Sequence, residues 1–379
     1  MSGPLTGFKI IDVCRAGPGQ LATGILADYG ADVISIVEAG YQERQAGGSN
    51  AAIRSGRPSV NRRNKRSIFL NLRSPEGLEV FFKLAKASDA ILESNRPGVA
   101  KQLGIHYEAV SAFNPGIVYC ALSSFGQYGP YAGIAAHDPA MEAVAGSLPQ
   151  DDEGNLRFPP YSFADHNASW AAATSILMGL LERTRSGKGQ YIDVSFVDAT
   201  VTIPPGGRGD EALQGKFPCV HIYETKDGKF VTLSIREPWF WERMCKLINK
   251  PEWVSHIRPE GKLRDEMFAF FRATFKQKSQ AEWVDLLKTN DIEFGPVNKT
   301  EDDLRNDPHL RAREMVLELK DPATGEVKPE VGFAFKFQRT RPELRHGPTL
   351  MGHDTQAVLG ELGYSAAQIA KLRAAKVTA

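Results

Sequence analysis

The chain has 379 residues, with 46 Lys and Arg against 45 Asp and Glu, so its net charge of +1 leaves no electrostatic footprint for nucleic acid or acidic membranes. An apolar fraction of 42% and a charged fraction of 24% are those of an ordinary soluble protein, and the length leads one to expect two domains. The four cysteines (Cys14, Cys120, Cys219, Cys245) include no CxxC, so no disulfide framework or zinc site is expected. Without an apolar run of membrane-spanning length or a signal peptide, the expected location is cytoplasmic.

In chain order, Phe8 to Val13 reads as a buried strand, Gly17-Pro18-Gly19 as a turn, Gln20 to Tyr29 as a helix closed by Gly30, and Asp32 to Val37 as a second strand. This βαβ unit predicts a parallel sheet with helices on its faces. The turn lacks the full GxGxxG pattern, which argues against a dinucleotide site. Gly40 to Pro58 reads as a loop ending at the basic cluster Arg62-Arg63-Asn64-Lys65-Arg66, with a strand at Ser67 to Leu72. Ser74-Pro75-Glu76 opens a helix running to Lys86, and Ala90-Ile91-Leu92 and Ile117 to Leu122 are further strands.

Next comes the stretch on which the chemistry is centred. Asp138-Pro139 suits a helix opening and leaves His137 just outside it, and Asp165 starts the long segment Asn167 to Thr184 in the same way. A helix N-terminus favours negative charge, so Asp165 is expected to be ionised and His137 neutral, each in the form that accepts a proton. Pro204 to Gly209 reads as a linker and the domain change. Beyond it, Asp227-Gly228 marks a hairpin, Glu237-Pro238 opens a helix, Ser279 and Glu282 form a capping box, and two helices close the chain.

Each candidate also has a plainer role. Asp165 can be a helix cap, His137 a histidine bonded to backbone, and Glu237 a first-turn carboxylate that suits the helix dipole. What raises the functional reading is that all three stand at a loop-to-helix junction, where backbone N–H donors can stabilise an anion. The cluster Asn61 to Arg66 and the lone Arg96 suit either solvent or a polyphosphate. Ser186-Gly187-Lys188-Gly189 follows a helix and precedes a strand, the wrong order for a phosphate loop.

Several segments together resemble a known family: Ala16-Gly17-Pro18, Leu26 to Val33, Asn64-Lys65-Arg66-Ser67, Asn95-Arg96-Pro97-Gly98-Val99, Phe125 to Tyr131, and Arg183 to Gln190. The family is the family III CoA-transferases (CaiB/BaiF), which include formyl-CoA and carnitine CoA-transferases and α-methylacyl-CoA racemases. The resemblance implies an acyl-CoA substrate and an α/β fold, with a Rossmann-like large domain, a smaller α+β domain and an interlocked homodimer. The large domain would take residues 1–204, completed by 308–379, and the small domain 205–307. Lys65, Arg66, Arg96 and Tyr131 would bind CoA, which enters as part of the substrate, with no metal and no other cofactor.

Within that family, Asp165 stands where transferases have a nucleophilic aspartate and racemases one of two bases. Ala136-His137-Asp138 is similar to the Gly-His-Asp of racemases rather than the Gly-Phe-Asp of transferases, and Glu237-Pro238 is also racemase-like. Two departures are His166-Asn167-Ala168-Ser169-Trp170, where racemases have a glycine-rich run, and Ser35-Ile36-Val37-Glu38, which lacks a basic residue near the nucleotide. The resemblance implies racemisation of a 2-methylacyl-CoA by His137 and Asp165, with Glu237 in support. The alternatives are CoA transfer to a carboxylic acid through an aspartyl anhydride on Asp165, and a catalytically silent CoA-binding protein.

Overall fold

The computed structural model describes residues 3–15, 17–38, 60–151, 153–202, 215–320 and 325–378. Ala16, the expected loop at Gly40 to Pro58 and the linker at Pro204 to Gly209 lie outside them. The chain divides into two compact units, Met1–Gly206 with Glu314–Ala379, and Gly207–Arg313.

The large unit is built on six parallel strands: β1 (Lys9–Val13), β2 (Asp32–Glu38), β3 (Lys65–Leu70), β4 (Ala90–Glu93), β5 (Val118–Ser123) and β6 (Gln190–Ser195). Their order is β3-β2-β1-β4-β5-β6. The chain thus builds outward from β1 in both directions, and β1 and β4 lie side by side where the order reverses. Neighbouring residues face opposite ways: Ile10 and Val33 enter one core, Ile11 and Ile34 the other. The first core is packed by α1 (Gly17–Asp28), and the second by α2 (Pro75–Lys86). Ser74 caps α2 by accepting the Gly77 N–H at 3.0 Å.

The expected turn at Gly17-Pro18-Gly19 is in fact the first turn of α1. The reason is a close approach, since a Cβ on Gly19 would stand 2.5 Å from Cys14 Sγ. Glycine is there to let the helix lie against the end of β1.

After β4 come two short helices, α3 (Val99–Gln102) and α4 (Tyr107–Ser111), and after β5 come α5 (Asp138–Ala145), α6 (Phe163–Ser186) and, beyond β6, α7 (Phe196–Thr200). Helices α5 and α6 extend the α1 face of the sheet through Met141, Ala164, Ala168, Ala172 and Ile176.

β3 is an edge strand, and residues far along the chain close that edge. Asp354 Oδ2 accepts from Ser67 N at 2.8 Å and Thr355 Oγ1 from Phe69 N at 3.1 Å, while Thr378 Oγ1 donates to Phe69 O at 2.8 Å.

The second unit has its own antiparallel sheet, β7 (Val220–Glu224), β8 (Phe230–Ser234) and β9 (Phe294–Val297), in the order β7-β8-β9. The Asp227-Gly228 hairpin joins the first two strands. Its main helices are α8 (Pro238–Leu247), α9 (Gly261–Phe275) and α10 (Gln280–Thr289), with the capping box at Ser279 and Glu282 in place. Trp241, Phe271, Phe275 and Trp283 fill its core, whereas Trp239 is exposed.

In the last part of the large unit, an antiparallel hairpin at Val316–Lys320 and Val327–Val331 precedes α-helices at Thr355–Glu361 and Ala366–Ala374. Ser365 and Gln368 form the capping box of the second. Among the described residues no helix is long and apolar enough to cross a membrane.

Candidate active site

His137 is the N-cap residue of α5, in extended conformation, exposed, with no side-chain bond to its helix. Asp138, which follows it, is buried and does not cap its own helix. Its Oδ2 instead accepts the backbone N–H of Asp165 at 2.9 Å. One turn on, Glu142 Oε1 accepts the N–H of Phe163 at 3.1 Å. The N-terminus of α6 is therefore capped from a neighbouring helix, and Ser162, its own N-cap residue, makes no side-chain bond to it.

This joint brings His137 and Asp165 together: His137 is covalently next to the residue that holds the Asp165 amide. Asp165 sits in the first turn of α6, half-buried, rather than in the capping position expected for it. Its carboxyl is also pushed up from its ordinary value rather than down. Burial is the main cause and Asp138 adds to it, against the opposing charges of His137 and His166. The helix dipole is outweighed because two carboxylates already occupy the amides that would have stabilised Asp165.

Glu142 was not singled out in the sequence. The signal was available, because Asp138 and Glu142 form an i, i+4 acidic pair that costs energy on a free helix surface. Glu142 is fully buried, and burial, then Asp138, raise its carboxyl from 4.5 to about 7. Ser169, one turn beyond Asp165, donates its hydroxyl to the Asp165 backbone carbonyl at 2.6 Å, which leaves no Ser-His-Asp triad here.

Glu237 belongs to the second unit, where it is the N-cap residue of α8 without capping it. Its Oε2 is buried with no hydrogen-bond partner among the described residues. Glu293 is pushed up by burial and by its approach to Glu237, against the Arg236 amide it accepts at 3.1 Å.

The expected CoA residues divide. Lys65 is buried, and its ammonium donates to Asp12 Oδ2 at 3.0 Å, Gln20 O at 2.6 Å and Thr23 Oγ1 at 2.6 Å. All three donors are spent, so it cannot also grip a phosphate in this arrangement. Arg66 is bound to Asp32 and, through both carboxyl oxygens, to Glu361. Arg96 is exposed, and its guanidinium has no partner among the described residues. Tyr131 is half exposed, its ring edge against Phe125.

At the carboxyl ends of β1 and β2 lies a cleft of ≈ 580 Å³, lined by Val13, Cys14, Arg15, Gln20, Asn95 and Met351 among others. A smaller one of ≈ 370 Å³, lined by Asn61, Arg62, Lys65 and Arg66, adjoins it through Gln20 and Met351. The switch point of an open α/β sheet is where ligands of this fold class bind. The loop after β4 that carries Arg96 is braced by Glu93, whose Oε2 accepts both the backbone N–H and the side-chain amide of Asn95 at 2.7 Å. Burial raises the Glu93 carboxyl to about 7.

Known proteins give this geometry a context. The chain is 30% identical to an acyl-CoA transferase of Fusarium pseudograminearum, covering 98% of this chain and 87% of that one. It is 29% identical to the alpha-methylacyl-CoA racemase of Homo sapiens, covering 98% and 97%. Its fold matches a CAIB/BAIF family protein from Brucella suis with a TM-score of 0.79, at 22% identity and covering 96% and 100% of the two chains. The family description "CoA-transferase family III" matches residues 5–355, and the chain belongs to that family.

Proposed function

We propose that the protein racemises 2-methylacyl-CoA thioesters by 1,1-proton transfer. The observation that carries this reading is the joint between α5 and α6, where a histidine and an aspartate stand at adjoining helix N-termini, linked by the 2.9 Å bond from the Asp165 amide to Asp138. The thioester makes the α-hydrogen weakly acidic. One base removes it from one face, and the conjugate acid of the other returns a proton to the opposite face. His137 and Asp165 are that pair, and burial, with Asp138 adding to it, raises the Asp165 carboxyl, the direction that suits a group which must give a proton back as well as take one.

Glu237, in the second unit, keeps the supporting role that the family resemblance alone implies for it. Arg96 and Tyr131 are assigned to CoA, whereas Lys65 and Arg66 serve it by fixing β3 beside the clefts. CoA arrives as part of the substrate and the side chains carry both proton steps. We also propose a homodimer, because Phe158, Tyr161, Met178 and Leu181 leave large apolar side chains exposed before and along α6.

A second reading keeps Asp165 but changes its role. Asp165 attacks the thioester to give an aspartyl-acyl anhydride and CoA thiolate; the thiolate attacks the aspartyl carbonyl and releases the donor as its carboxylate, the acceptor carboxylate then displaces CoA from the aspartyl thioester to form a second anhydride, and CoA attacks the acceptor carbonyl, which frees Asp165. The similarity to an acyl-CoA transferase favours it. Mass spectrometry of a short 2-methylacyl-CoA in heavy water, with and without succinate, separates the two. The racemase reading expects deuterium at the α-carbon without an acceptor, abolished in His137→Ala. Succinyl-CoA formed without α-exchange would overturn it in favour of transfer.

A further inference from the structure

We infer that Glu142 is a positioning residue: by accepting the Phe163 amide one turn from where Asp138 accepts the Asp165 amide, it fixes the first turn of α6, and so holds Asp165 in place beside the His137 end of α5. The inference rests on the roles proposed above for His137 and Asp165 and adds a residue that those roles do not name.

Asp138 and Glu142 lie one turn apart on α5 and both point inward, with exposures of 7% and 0%. Each accepts one N–H from the first turn of α6, Asp165 N at 2.9 Å and Phe163 N at 3.1 Å. Nothing on the α6 side duplicates these bonds, because the Ser162 side chain makes none. The other Glu142 oxygen accepts from Ser147 Oγ at 3.4 Å. Burial, and then the Asp138 carboxyl, push Glu142 up to about 7, and a protonated Glu142 replaces repulsion of Asp138 by a hydrogen bond to it.

The titratable groups on the elements packed around this pair are His137 at the N-cap of α5, Asp165 and His166 in the first turn of α6, with Glu182, Arg183 and Arg185 at its far end, and Asp198 on α7. Burial is the main cause of the Glu142 shift, and Asp138 is the titratable group that adds to it. Losing the Glu142 proton places a second negative charge at the joint, next to the amides that orient Asp165. A shift of that turn by even 1 Å costs on the order of 100-fold in rate, because the reacting groups no longer align.

The test uses the full chain, Glu142→Gln and Glu142→Ala, with two readouts. Backbone amide resonances of Phe163 and Asp165 are followed against pH by selective nitrogen-15 labelling, and α-proton exchange of a 2-methylacyl-CoA is followed in heavy water. In the wild type both amides should show a step near pH 7 that is missing in Glu142→Gln, since the Gln amide mimics the protonated acid. Glu142→Ala should lose kcat by on the order of 100-fold with KM little changed, and Glu142→Gln should recover most of that loss. A step that persists in Glu142→Gln, or a folded Glu142→Ala with wild-type kcat, overturns the inference. If the wild type exchanges no α-proton, the racemase reading falls, while the amide titration still decides the role of Glu142. If Glu142→Ala does not fold, wild type against Glu142→Gln decides it.

Discussion

The large unit holds two clusters of buried charge built on opposite plans. Around β1 and β3, opposite charges neutralise one another: Lys65 meets Asp12, and Arg63, also fully buried, meets Asp28 at 2.6 Å and Glu330 at 3.4 Å. At the α5–α6 joint, carboxyls are packed together, and burial, with Asp138 adding to it, pushes Glu142 and Asp165 upward. The first plan spends every donor and holds strands and helices in register. The second leaves a proton whose position depends on solution conditions, which a structural cluster has no use for.

Replacing one residue from each plan should fail in different ways. His137→Ala should cost α-proton exchange about 100- to 10,000-fold, the usual range for a general base or acid, with an unchanged melting temperature because the side chain is exposed. Lys65→Met should do the reverse, losing about 3–5 kcal/mol in urea unfolding because Asp12 is left buried and unpaired. Adding Asp12→Leu to it should restore much of that loss. A stable Lys65→Met with a greatly raised KM would break the comparison and make Lys65 a phosphate ligand.

Arg96→Ala tests a charge that belongs to neither plan. It should leave stability alone and raise KM for acyl-CoA by about 10-fold or more, the worth of one charge-assisted hydrogen bond of about 1.5–3 kcal/mol. An unchanged KM in steady-state kinetics would remove Arg96 from the CoA site.

The smallest effect is on stability against pH. The Glu142 carboxyl is raised in the folded state, so the fold binds more protons than the unfolded chain between 4.5 and about 7. Stability due to this group is complete below 4.5, falls as pH rises to about 7, and is flat above. Urea midpoints of the wild type should therefore fall relative to Glu142→Gln across that window and no further. Parallel curves would mean that Glu142 holds no proton in that window.

Most of the architecture was legible in the sequence because strands such as Ile117 to Leu122 are continuous apolar runs, and because Asp227-Gly228 and Ser279 with Glu282 act within a few residues. Gly17-Pro18-Gly19 was misread as a turn for the same local reason: what sets its conformation is Cys14, at the end of β1. Lys65 looked like part of a surface cluster, since nothing in a run of basic residues reveals which one a strand turns inward toward Asp12. The junction residues His137 and Asp165 stood out through Pro139 and the long helix. Their linkage did not, because a cap supplied by another helix leaves no spacing within one element to find, and the direction of the Asp165 shift was missed because burial, with Asp138 adding to it, is set by the tertiary packing.

The closure of β3 sets a timetable for synthesis. Ser67 and Asp354 are 287 residues apart, so at ribosomal speeds of about 5–20 residues per second the strand emerges roughly 15 to 60 s before its partner exists. The whole Gly207–Arg313 unit is translated in that interval and has a core of its own to fold around. For that time β3 is a bare template for a neighbouring nascent chain, and a chaperone shielding residues 65–70 would be guarding the most vulnerable edge of the molecule.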